Sequence, residues 1–265
     1  MKNLWSDTES DNFKDDLALR VYTSRLLGKD PSLVLHGGGN TSVKITEANL
    51  VGSKEEILYV KGSGWDLVSI EKDGFSPVRM SHMLKLSKLK ALSDPQMVNE
   101  LKTQLTNAAS PTPSVETILH AILPFKYVDH THADAVVTIS NTLDGEERIR
   151  EIYGNRVVIV PYVMPGFDLA KEVGRLFSEM ASDETEGMVL LNHGIFSFGS
   201  TARKSYDRMI DLVNLAEQYL VSQNACDNEE IVSNIKSNKI RNDVSQLRQK
   251  VSSVAGNPVL LNLTN

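Results

Sequence analysis

The stretch "GMVLLNHGIFSFG", residues 187–199, constrains the fold more than any other part of the chain. Two apolar runs are separated only by Asn192, His193 and Gly194. Each run is short for a helix, and glycine adopts the backbone angles that a sharp reversal needs. The stretch therefore predicts a strand, a turn at His193-Gly194 and a second strand.

Elsewhere the periodicity alternates. "DNFKDDLALRVYTSRLLG" sets Phe13, Leu17 and Val21 four apart with Gly28 as a stop, which predicts an amphipathic helix. "LVLHGGGNTSVKIT" predicts a strand, a glycine turn and a strand, and "EILYVKGSG" a strand running into a second glycine turn. "MSHMLKLSKLKAL" has helical spacing. Ser114 is a suitable cap for a helix over "VETILHAIL", which Pro124 ends. "KYVDHTH" predicts a strand, "ADAVVTIS" fits a strand or a short helix, and "RVVIVPYV" predicts a buried strand. "DLAKEVGRLFSEM" and "ARKSYDRMIDLVNLAEQYLVSQ" predict helices, the second with Met209, Leu212, Ala216, Tyr219 and Leu220 facing inward. After "ACDNEE" the composition turns polar, with one more helix expected over 239–254 before the apolar "PVLLNL". We therefore expect a main domain over 1–224 and a helical extension over 225–265 that packs on it or trails it. Interleaved strands and helices make the class mixed α and β.

Composition narrows the function. Among 265 residues, 41% are hydrophobic and 23% charged, as in soluble globular proteins. A net charge of −6 argues against a general nucleic-acid binder. Cys226 is the single cysteine, so no internal disulfide forms, which fits a reducing compartment. The N-terminus lacks the apolar core of a secretory signal, and no apolar run approaches the roughly 20 residues that span a bilayer. The expected location is the cytoplasm, with no membrane partner.

Chemistry enters with "VDHTHAD" at 128–134. His130 and His132 sit two apart, so on a strand they share a face. Three residues span at most about 7 Å, which lets both imidazoles reach one ion. An isolated pair of this kind is more often two ordinary histidines. His193, at the end of another apolar strand, suggests a third ligand with an open position left for water or substrate. Glu116 near a helix start is favoured by the helix dipole, or serves as a general base facing the metal. His120 lies four residues on, either orienting that carboxylate or filling the core. The turns "HGGGNTS" and "KGSG" are glycine-rich hairpins or nests of N–H groups for a phosphate, and neither is a Walker or GxGxxG loop.

Together "GGGNTS", "GSG", "SVETILHAI", "DHTH" and "NHGIF" resemble the class II aldolase/adducin family over about residues 11–224. The wording is similar to one branch, the aldolase domain of bifunctional rhamnulose-1-phosphate aldolase/short-chain dehydrogenase proteins. The resemblance implies an α/β fold of α+β type, three layers (α/β/α) around a central mostly antiparallel sheet. It implies one zinc ion per subunit on His130, His132 and His193, with Glu116 as the catalytic carboxylate. Gly39, Asn40, Ser63, Gly64 and Ser114 match positions that hold a sugar phosphate. The implied reaction is retro-aldol cleavage of a ketose 1-phosphate of rhamnulose or fuculose type by a homotetramer. A 4-epimerase or dehydratase of the same superfamily, or an adducin-like binding module, is the alternative. Val115 stands where fuculose-phosphate members have a second serine, Tyr153 is taken as the match for the proton-donor tyrosine that a neighbouring subunit lends, and no dinucleotide fingerprint occurs within the 265 residues.

Overall fold

A computed structural model describes residues 1–225 and 237–259. Met1–Ser222 forms one unit by its contacts. Its seven strands are β1 (Asn40–Ala48), β2 (Lys54–Lys61), β3 (Phe75–Arg79), β4 (Tyr127–Thr131), β5 (Val157–Val160), β6 (Gly187–Leu190) and β7 (Gly194–Gly199). They form one sheet in the order β3-β2-β1-β4-β7-β6-β5. Every pairing is antiparallel except β5 with β6. The helices of this unit are α1 (Asp7–Ser10), α2 (Asp16–Gly28), α3 (Met80–Leu86), α4 (Asp94–Thr103), α5 (Thr117–Ile122), α6 (Asp134–Ser140), α7 (Gly145–Tyr153), α8 (Phe167–Met180) and α9 (Ala202–Ser222).

Strand alternation divides the core into two layers. Val158 and Val160 of β5 join Phe196 and Phe198 of β7 under α3, α4, α5 and α8. Val157 and Ile159 point the other way and pack with Tyr22, Val136, Ile149 and Met209 from α2, α6, α7 and α9. The sheet is thus covered on both faces, as the family resemblance implies. On α9, Met209, Leu212 and Ala216 are buried, while Tyr219 and Leu220 pack partly against the same cluster.

Several local expectations are corrected. Residues 33–35 are turn and coil, so the first glycine loop leads out of α2 rather than out of a strand. Of the two readings open for "ADAVVTIS", the structure takes the short helix. Helix α5 starts at Thr117, with Glu116 itself at the cap position; Ser114 stands two residues earlier and accepts the Glu116 N–H at 3.3 Å. In the C-terminal unit, α10 spans Ser237–Ala255, and Val259 turns back to donate to Ser252 Oγ at 3.1 Å. The apolar end "PVLLNL" runs on past Val259, where its remainder lies outside the described residues.

Candidate active site

The site grows from β4. His130 and Asp129 are neighbours on a strand, so they face opposite ways: His130 stacks on Phe196 at 4.1 Å, and Asp129 pairs with the buried Arg20. His132 lies just past the strand end. His193 sits in the β6–β7 turn, where Asn192 has φ 58° and the His193 N–H donates to Leu190 O at 3.1 Å. Gly194 is what allows this turn to close on β4, because a Cβ there would stand 2.4 Å from Thr131 O and 3.1 Å from His130 Cε1. The three imidazoles each offer a ring nitrogen, all within 4.8 Å of one another.

These residues fit a divalent metal. His130 Nδ1 lies 3.1 Å from the Ile195 carbonyl, which can only accept, so Nδ1 carries the proton and Nε2 keeps its lone pair. His130 Nε2 and His132 Nε2 are 3.1 Å apart, near the roughly 3.3 Å that two nitrogens adopt on one tetrahedral zinc. Burial, then the neighbouring histidines, holds His130 well below the usual imidazole range. Burial likewise lowers His132, and takes His193 down to about 4. Neutral imidazoles at pH 7 are the form that binds a cation. His130 is buried, His193 half-buried and His132 exposed, so the cluster opens to solvent on one side.

Glu116 faces this cluster. Its Oε2 is 3.6 Å from His130 Nε2, and its Oε1 is 3.7 Å from His193 Nε2. Oε1 is buried without a hydrogen-bond partner. Burial raises the carboxyl to about 7, against the lowering effect of the Asn40 hydrogen bond and of Lys61. Pairing of β1 with β4 sets Asn40 opposite His130. The Asn40 amide donates to Glu116 Oε2 at 2.6 Å and to Ser114 Oγ at 3.2 Å, while its carbonyl meets His120 Nε2.

A cavity of about 340 Å³ adjoins these groups and is lined by Gly39, Asn40, Ser63, Gly64, Ser114, Glu116, His132 and His193, with Lys61, Val115 and Pro165. All five residues matched to phosphate positions therefore reach one space. Gly39 has φ +59°, and a Cβ there would stand 2.7 Å from His130 O, so the first glycine loop needs glycine to approach β4. Two of the expected donors are already engaged: both Asn40 amide hydrogens are taken, and the Ser63 N–H donates to Thr112 O at 2.8 Å. Lys61 brings the cation that the glycine turns lack. Its side chain turns inward and its ammonium donates to Gly37 O at 2.8 Å; burial lowers it to about 8.

Tyr153 does not belong to this site. It is buried in the opposite core layer, and its hydroxyl donates to Leu212 O at 3.0 Å. A separate groove of about 700 Å³, lined by residues including Lys44, Phe125 and Lys126, holds none of the site groups. Among the described residues, no helix is long and apolar enough to cross a membrane.

Residues 18–220 match the family described as the class II aldolase and adducin N-terminal domain. Over 221 residues the chain is 37% identical to the uncharacterized oxidoreductase YuxG of Bacillus subtilis (strain 168), covering 83% of this chain and 32% of that protein. It thus spans about a third of that relative's length. The N-terminal class II aldolase domain of a conserved protein from Thermoplasma acidophilum is 45% identical with a TM-score of 0.76, over 83% of this chain and 99% of that domain. A sugar-phosphate aldolase from Thermotoga maritima shares the fold at 16% identity and a TM-score of 0.56, over 77% of this chain and 95% of that one.

Proposed function

Because the chain belongs to the class II aldolase and adducin family, we propose that it is a zinc-dependent aldolase cleaving a ketose 1-phosphate of the rhamnulose or fuculose type. The products are dihydroxyacetone phosphate and an aldehyde. The observation that carries this reading is the meeting of three neutral imidazoles with a buried carboxyl 3.6–3.7 Å from two of them.

His130, His132 and His193 would hold the zinc, whose chemistry when bound is to polarise substrate oxygens and stabilise the charge left as the C3–C4 bond breaks. Net cleavage moves a hydrogen from the C4 hydroxyl to C3. Glu116 is the group for the C3 end, since a carboxyl near pH 7 both gives and takes a proton. Its free Oε1 is the atom that carries that proton, because Oε2 is held by Asn40. The phosphate goes to Gly39, Ser63, Gly64 and Ser114, with Lys61 supplying the positive charge. Asn40 serves the carboxyl, its amide hydrogens being spent there and on Ser114. Family membership also supports a homotetramer carrying one zinc per subunit.

Zinc-loaded protein is expected to release dihydroxyacetone phosphate from rhamnulose 1-phosphate or fuculose 1-phosphate. Glu116→Gln should keep its zinc and lose about 10²–10⁴-fold in kcat, the usual worth of a general acid–base. Fully zinc-loaded wild type that cleaves neither ketose would overturn the assignment.

A further inference from the structure

Behind the site runs a line of buried polar side chains. Ser42 Oγ meets His120 Nδ1 at 2.7 Å, and His120 Nε2 meets Asn40 Oδ1. Asn40 Nδ2 then reaches Glu116 Oε2 at 2.6 Å and Ser114 Oγ at 3.2 Å. His120, Ser42 and Asn40 are all shut off from solvent or nearly so. In such a chain each link has a donor and an acceptor, so one proton position fixes all the rest.

We propose that His120 is a positioning residue: its Nε2–H sets the direction of this chain, and so fixes how Asn40 presents Glu116 and Ser114 to the cavity. When Glu116 is ionised, a flipped Asn40 amide would press its carbonyl oxygen against the carboxylate at 2.6 Å, where two acceptors repel. The amide hydrogens therefore face Glu116 and Ser114, and the carbonyl faces His120 and requires a donor from it. With the imidazole neutral, Nδ1 is left to accept from the Ser42 hydroxyl. Burial, which takes His120 down to about 3, keeps it in that neutral form. At the far end, Ser114 Oγ accepts twice, from Asn40 Nδ2 and from the Glu116 N–H at 3.3 Å. Both its lone pairs are thereby used, so its hydrogen is the group it offers to a ligand in the cavity it lines. One tautomer thus decides two things at the site: which oxygen of Glu116 stays free, and that Ser114 acts as a donor.

The catalytic consequence rests on the aldolase reading; the tautomer does not. Nitrogen-15 NMR of the full chain labelled at histidine should show His120 protonated at Nε2 alone. A resonance pattern for Nδ1–H or for an imidazolium overturns the proposal. Turnover then compares His120→Gln, which keeps a donor near the Nε2 position, with His120→Met, of the same length and without one. Glutamine should stay within a few-fold of wild type, while methionine loses about 10–100-fold in kcat at unchanged zinc content, the usual cost of a lost outer partner. Equal activity of the two variants would show His120 to be packing alone. If wild type cleaves neither ketose, the aldolase reading fails and the tautomer alone decides the inference.

Discussion

Lys61 shows how much one side chain's surroundings decide its use. At 3% exposure the residue is nearly enclosed, and burial brings its ammonium down to about 8 from an ordinary 10.5. Below that point it is a cation aimed at the cavity; above it, a neutral amine. kcat/KM for a phosphorylated ketose should therefore fall as pH rises through about 8. Lys61→Met should remove that fall and weaken kcat/KM at pH 7 by about 10–100-fold, the worth of a charge-assisted hydrogen bond. A wild-type profile that stays flat from pH 7 to 9 would take Lys61 out of phosphate binding. Stability runs the other way. Between the folded pKa and 10.5 the unfolded chain binds the extra proton, so the penalty for burying the charge is relieved as pH rises across that window. Sequence pattern alone does not decide the direction of Lys61, because a residue at a strand end next to glycine can turn to either side; its hydrogen bond to Gly37 O does.

At the level of elements, α2, β4 and α9 are fastened together by charge. Arg20 from α2 pairs with Asp129 of β4, both fully buried, and Ser205 of α9 donates to the same carboxylate. Removing one member of a buried pair leaves the other uncompensated, at a cost of about 3–5 kcal/mol. Arg20→Met should therefore lower the unfolding free energy measured by urea titration by that order, and adding Asp129→Leu should recover part of the loss. A double variant no better than the single one would mean that the pair is not what holds these elements. None of this was legible in the sequence, where Arg20 lies in an amphipathic helix and Asp129 beside a candidate ligand. The strands around His130 and His193 were legible, because apolar runs stopped by glycine have few other readings. Strand β3 was not: it has five residues with Pro77 inside, tolerable only at the sheet edge it occupies. Helix α4 did leave a signal in Ser93 and Gln96, which form a capping box, and α7 in Ile149 and Tyr153, buried four apart. Ser114 was placed as the cap, but its hydroxyl takes only the Glu116 N–H and the helix begins at Thr117, so that Glu116 holds the cap position and turns into the site.

For the whole molecule, the proposed metal and the fold would stabilise one another. An ion that binds only the native state adds RT ln(1 + [L]/Kd), about 4 kcal/mol at a thousandfold excess over Kd. In a domain of this size that raises Tm by roughly 10 °C. Chelation of zinc-loaded wild type should lower Tm by that order, and His130→Ala should show almost no response to the chelator. Equal chelator sensitivity of the two proteins would place the stabilising ion elsewhere. The central position of β4 has a further consequence, in time rather than in energy. Its partners come from far along the chain: Asn40 opposite His130 on one side, Phe196 opposite His130 on the other. Contacts this remote in sequence are slow to form, because large loops must close first. During synthesis the His130–His132 pair leaves the ribosome well before His193, so an ion met early would have two ligands of this cluster and exchange freely. Docking of β7 would bring the third and end the exchange. Firm retention of the proposed metal would then be a timestamp for that long-range step of folding, and would distinguish chains in which β7 has docked from those stalled with the sheet half built.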